Sequence, residues 1–276
     1  MLRLSRFRFL RQVLIGLLSF VCVVTFAACG SGTPTTSSTG SSGGGVLKVA
    51  TEPAFPPFES QGTSGDLVGF DIDLMKAIGA EAGLDIQFQS LPFDGIIPAL
   101  QAGTVDAAIS AMTITAERSQ SVSFSRPYFK AGLAIAVRAK ETGITSLDSL
   151  KNKRIAVQIG TTGADEAKKV AGAKIRTFDS APLALQELAN GNVDAVINDA
   201  PVTLYAIKSG NISGLKVATD QLLTEEFYGI AMPKDSPSLE KVNTGLKALI
   251  DNGKYNEIYK KWFDSEPATL PETAPL

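Results

Sequence analysis

Residues 99–111 read ALQAGTVDAAISA and residues 187–199 read ELANGNVDAVIND. Each has the form of a helix end, a glycine turn and a Val-Asp-Ala-x-Ile strand that runs out onto small or polar residues. These are Ser110 and Ala111 in one copy, Asn198 and Asp199 in the other. In open α/β sheets, ligands bind beyond the carboxyl ends of the strands. Two such units point to two α/β lobes turning polar strand ends toward one crevice. Chance similarity of two short units is the competing explanation, and the rest of the chain must decide.

The two ends of the chain read differently from its middle. Arg3, Arg6, Arg8 and Arg11 precede an apolar run from Val13 to Ala28, the layout of a secretory signal over 1–28. An uncleaved anchor helix is the alternative. Phe26-Ala27-Ala28-Cys29 resembles a bacterial lipoprotein cleavage box, which implies cleavage before Cys29 and lipid attached to it. Two or more acyl chains hold a protein stably at a membrane surface. Residues 29–45 are then a lipidated Cys followed by Ser, Thr and Gly with one Pro. That stretch has almost nothing apolar to bury and reads as a flexible tether reaching roughly 5–6 Å × √n. Residues 265–276, with Pro267 and Pro271, read as a loose tail.

The second cysteine, Cys22, lies in the signal, so the mature domain carries no disulfide despite an oxidising destination. The chain has no histidine, which excludes His-based triads, His metal ligands and a histidine pH switch. Losing the four signal arginines takes the formal net charge from −2 to −6, which argues against a nucleic-acid partner.

Between Val46 and Asp264 strands and helices alternate. LKVAT (47–51), residues 86–88 and 105–109 read as strands. Helices are predicted over 70–82, stopped by Gly83, and over 95–101, with Pro98 in the first turn. This is a β-α-β-α-β unit, the pattern of a mostly parallel sheet with helices outside. LAIAV (133–137) is a further apolar strand. A second β-α-β-α-β unit follows, with strands 154–158, 175–178 and 193–197 and helices 163–169 and 183–189. A helix over 201–208, a strand YGIAM (228–232) and two helices within 242–263 complete the pattern. Two lobes joined by two extended crossings account for it; a single continuous sheet is the alternative.

Several segments resemble the periplasmic amino-acid-binding proteins of ABC importers, the solute-binding proteins of family 3. They are VATEPAFPPFE (49–59), VGFDIDLMKAI (68–78), residues 92–129, GTTG (160–163), NVDAVINDAP (192–201) and NGKYNEIYKKWF (252–263). The resemblance implies a two-lobed α/β periplasmic binding protein fold of type II. It places lobe one at 46–127 and 229–264, lobe two at 133–223, and hinges at 128–132 and 224–228, with a ligand cleft between the lobes. It further implies a monomer that closes on one free amino acid and presents it to a membrane permease. No cofactor or metal is expected.

An amino acid buries a carboxylate and an ammonium, and each needs an opposite charge and full hydrogen bonding. Arg118 can fork onto the carboxylate, with Thr115 placed to cap the turn before it. From sequence alone Arg118 reads more readily as a first-turn surface arginine; the resemblance assigns it to the ligand. By the same resemblance Thr162 offers a backbone donor to the carboxylate and Asp199 takes the ammonium. The Thr113 hydroxyl and the Ala111 carbonyl complete the α-group contacts, Ser110 is counted among the ligand-binding residues, and Phe55 and Phe93 sandwich the aliphatic part. Asp199 as a helix N-cap and the two rings as plain core are the alternative readings. Asp106 and Asp194 read as structural. Where glutamine-binding members carry an aspartate, a lysine and a histidine, this chain has Glu52, Gln158 and Asn198. The pocket thereby loses a cation and keeps an anion, which favours a basic amino acid, with glutamine second. A small-carboxylate dehydratase on the same fold is a competing reading. A sensory domain is another, although no span or signalling module follows Leu276.

Overall fold

The computed structural model describes residues 45–276 except Asn211 and Asp220; the signal sequence, Cys29 and the tether lie outside the described residues. The chain builds two five-stranded sheets. In the first, Val46–Thr51 runs parallel to Asp85–Ser90 on one side and Ala107–Ala108 on the other, with Val49 opposite both Phe88 and Ala107. Ala231–Met232 and Ser123–Phe124 extend it as antiparallel strands. In the second, Arg154–Gln158 lies parallel to Lys174–Phe178 and Ala195–Asp199. Leu133–Arg138 and then Leu215–Val217 complete it, antiparallel. The half-repeat therefore marks equivalent central strands of two sheets, each carrying the mixed edge that a purely parallel reading lacks.

The chain passes from the first sheet to the second through Phe129–Ala131 and returns through Glu226–Tyr228. These two short strands pair antiparallel, Phe129 opposite Tyr228. A cluster of aromatic rings holds the crossing in place. Phe58 meets Phe129 and Tyr228 edge-on at centroid distances of 4.8 and 5.3 Å, and Phe129 stacks on Tyr259. Edge-to-face pairs of this kind add to simple burial. In the second lobe Ile135, Ile155, Val157 and Ile197 are buried on one face of the sheet, and Ala136, Ala156 and Val196 on the other. Burial on both faces explains why these strands read as continuous apolar runs.

Helix Phe70–Ala82 ends where the sequence places it, with Gly83 left-handed at φ 65°. Its entry is equally constrained. Gly69 sits at φ 145°, and a Cβ there would overlap the Phe58 carbonyl oxygen. Gly69→Ala is expected to lower the unfolding free energy by about 2 kcal/mol, read as a shifted urea midpoint; an unshifted midpoint would contradict the strain.

The structure corrects the expected elements in three places. The helix expected from Gly95 begins at Phe93, behind Pro92, so Pro98 is its sixth residue and removes an interior hydrogen bond. YGIAM is not one strand: Tyr228 closes the crossing, whereas Ala231–Met232 belongs to the first sheet. The break falls at Gly229, where a Cβ would press on Ile114, and Ser125 Oγ accepts the Ile230 N–H at 2.9 Å. The C-terminal residues are docked rather than loose. Leu270 packs against the first core and Glu272 meets Arg126 at 3.0 Å.

Candidate ligand-binding cleft

A narrow cavity lies between the lobes at the carboxyl ends of the central strands. Phe55, Phe93, Ser110, Ala111, Thr113 and Arg118 line it from the first lobe. Gln158, Thr161, Thr162 and Asp199 line it from the second. Nine of the ten were expected to bind ligand or to face it through the half-repeat, and Thr161 was not.

Arg118 opens a short helix whose first N–H is accepted by Thr115 Oγ1 at 3.1 Å. Its guanidinium donates through Nη1 to the Thr113 carbonyl at 2.8 Å and through Nη2 to the Gly160 carbonyl at 3.0 Å, reaching across to the second lobe. The cation lies 5.4 Å from the centre of the Phe93 ring. Burial pulls its pKa down, opposed by the negative charges of Asp199 and Glu226. Both recorded acceptors are neutral carbonyls, so remaining donors of the fork can take an anion.

Asp199 closes strand Ala195–Asp199 and is buried. Although it occupies the N-cap position of helix Ala200–Lys208, its side chain caps nothing. It accepts instead from the Tyr228 hydroxyl. Burial, reinforced by Glu226, pushes its pKa up to about 7. Thr162 begins helix Thr162–Lys168, with Thr161 Oγ1 as the cap, accepting the Ala164 N–H at 3.2 Å. The earliest N–H groups of a helix have no partner within it and favour negative charge.

Glu52, Gln158 and Asn198 diverge. Gln158 lines the cavity; its Nε2 donates to Glu52 Oε2 at 2.8 Å and to the Asp179 carbonyl at 3.2 Å, while its buried Oε1 has no donor. Glu52 is buried behind Gln158 and is absent from the cavity wall, and burial lifts its pKa to about 7. Asn198 is also off the wall. Its Nδ2 donates to Thr203 Oγ1 at 3.3 Å, inside the second lobe. Asp106 and Asp194 hold strand backbone, accepting from the Lys48 and Arg154 N–H groups.

Sequence reasoning missed Glu226. It is buried in the return crossing, where Oε2 accepts from Thr113 Oγ1 at 2.6 Å and Thr162 Oγ1 at 3.1 Å, tying the two lobes together. The only signal was an acid within an extended crossing segment. Among the described residues no group of three His, Cys, Asp or Glu could hold a metal ion.

Two α/β lobes, a two-stranded crossing and a cavity between them make up the two-lobed periplasmic binding protein fold. The chain belongs to the bacterial extracellular solute-binding proteins, family 3, whose model matches residues 47–265. It is 35% identical over 248 residues to a probable histidine-binding protein of Neisseria gonorrhoeae, covering 88% of this chain and 92% of that one. Among solved structures it is similar to an ancestral arginine-binding protein bound to arginine. That pair shares 46% identity and a TM-score of 0.76, over 79% of this chain and 98% of the other. An ancestral arginine-binding protein bound to glutamine matches at the same identity and TM-score, over 80% and 98%.

Proposed function

We propose that this protein is the substrate-binding component of an ABC amino-acid importer that closes its cleft on one polar L-amino acid, arginine or lysine first and glutamine second. One observation carries the reading. A half-buried guanidinium bonded to carbonyls and a buried carboxylate bonded to a phenol line the same cavity. That pair is complementary to a zwitterion: Arg118 and the Thr162 N–H take the α-carboxylate, and Asp199 takes the ammonium. Between them Phe55 and Phe93 cover the aliphatic stem. At the far end Gln158 Oε1 lacks a donor, and Glu52 stands behind it as the anion for a basic side chain. Arginine or lysine satisfies both, whereas a glutamine amide satisfies Gln158 and leaves Glu52 as it is. The relatives that bind arginine and glutamine are consistent with this order. A lipid on Cys29 would tether a monomer near its permease.

Isothermal titration calorimetry of the chain from Val46, after unfolding and refolding to strip carried ligand, tests the reading. Arginine is expected to bind at least about tenfold tighter than glutamine, since a charge-assisted contact exceeds a neutral one by about 1 kcal/mol or more. Ligand recovered unaltered is the expected mark of a binding protein; recovery of a dehydrated product would favour the enzyme reading. No heat with arginine, lysine, histidine, glutamine or glutamate would overturn the assignment.

A further inference from the structure

Beneath the ammonium side of the cavity lie two fully buried carboxyl groups that touch no ligand: Glu59 and Asp71. Each has one oxygen bonded to a group at the cavity wall and one buried oxygen without a donor. Glu59 Oε1 accepts from Ser110 Oγ at 3.0 Å, and Ser110 Oγ in turn accepts the Glu52 N–H at 3.0 Å. Asp71 Oδ2 accepts the Ala111 N–H and the Tyr128 hydroxyl, both at 2.8 Å. The remaining oxygens, Glu59 Oε2 and Asp71 Oδ1, are buried with no donor from any described side chain or backbone group, and the Asp71 carboxyl is near enough for its charge to raise the Glu59 pKa.

We propose that Glu59 and Asp71 hold one proton between them, and that this carboxyl pair positions Ser110 and Ala111 for the amino-acid site. Ala111 needs such a hold. It is a non-glycine residue at φ 46°, in the left-handed region that its Cβ disfavours, and it lines the cavity. The Asp71 acceptor fixes that peptide and, through Tyr128, ties it to the start of the first crossing. The Tyr128 carbonyl is held by Tyr255 Oη at 2.7 Å from the C-terminal helix. The titratable groups facing the pair are Glu52, Tyr128, Tyr228 and Tyr255, acidic or phenolic in every case. Burial followed by the neighbouring Asp71 holds Glu59 well above the carboxylate range, and burial lifts Asp71 to about 6. Two ionised carboxylates sharing one buried site would repel strongly.

The positioning role rests on the amino-acid reading of the cleft; the shared proton does not. Infrared difference spectra of wild type and Glu59→Gln at pH 8 address the proton. A protonated-carboxyl band that shifts in D₂O and vanishes in the variant is expected, and its absence from wild type overturns the pair. Arginine titrations address the positioning. Glu59→Ala is expected to bind arginine about tenfold more weakly, having lost its bonds to Ser110 and Asp71. Glu59→Gln should restore binding, because its Nε2 can donate to Asp71 Oδ1 while its Oε1 accepts from Ser110. Binding by Glu59→Ala equal to wild type, or no rescue by Gln, rejects the positioning role. Should Glu59→Ala not fold, Tyr128→Phe removes one tie to Asp71, and an unchanged arginine Kd there rejects the role equally. A wild-type protein silent to every amino acid rejects the reading of the cleft, while the infrared result still decides the proton.

Discussion

Arg118→Ala is expected to weaken arginine binding in calorimetry by about a hundredfold or more, while its thermal unfolding stays close to that of wild type. The reasoning is electrostatic. The ligand carboxylate leaves water on entering the cleft, and in the proposed reading its compensation there is the Arg118 fork together with helix N–H groups. Removing one partner of a buried ion pair costs about 3–5 kcal/mol, several hundredfold or more in Kd. The fold loses much less. The two carbonyls that Arg118 engages, on Thr113 and Gly160, can be taken by water in an opened cleft. Arg118→Lys keeps the charge and loses the planar fork, so it is expected to fall between the two. An unchanged Kd in Arg118→Ala would remove Arg118 from the site. A large fall in stability would recast it as a structural clamp between the lobes.

Local features of the fold were legible because local chemistry sets them. Helix Phe70–Ala82 follows from its apolar spacing and Gly83, and strand Arg154–Gln158 from an apolar run buried on both faces. The site was legible only in part, and strand parity explains one miss. Ending the strand at Ile197 leaves Asn198 and Asp199 together in a loop, both free to face the cleft. The strand in fact continues through Asp199. Neighbouring strand residues point to opposite faces, so Asp199 reaches the cavity while Asn198 bonds to Thr203. Other misses are bonds made at long range. Glu226 meets Thr113 across 113 residues of chain, and Asp71 meets Ala111 across 40. No periodicity or local spacing encodes such a pair; it exists only once two lobes and two crossings are assembled. The displacement of Glu52 has the same origin, since Gln158 is set before it by closure of one lobe on the other.

Arginine binding should weaken steeply as pH falls from 8 to 5. Burial raises Asp199 from 3.8 and Glu52 from 4.5, each to about 7. Below pH 7 the ligand-free cleft therefore holds protons on both acids, and a guanidinium and an ammonium can be paired only after those protons leave. Each acid then costs up to about tenfold in Kd per pH unit below its pKa. Arginine, which calls on both, should show a limiting slope near two protons released; glutamine, which calls on Asp199 alone, near one. Glu52→Gln should reduce the arginine slope toward one and leave the glutamine slope unchanged. Stability of the ligand-free protein runs the other way. A raised carboxyl pKa contributes stability that is complete below the unfolded value, near 4, and is lost as pH rises through 7. Weaker binding at pH 5 is thus expected from a protein to which these two acids give more stability, not less, which separates proton competition from unfolding. Calorimetry in buffers of different ionisation enthalpy counts the protons directly. A Kd flat between pH 8 and 5 would mean that neither Asp199 nor Glu52 meets a ligand cation, and that the charge of the side chain is read elsewhere in the cleft.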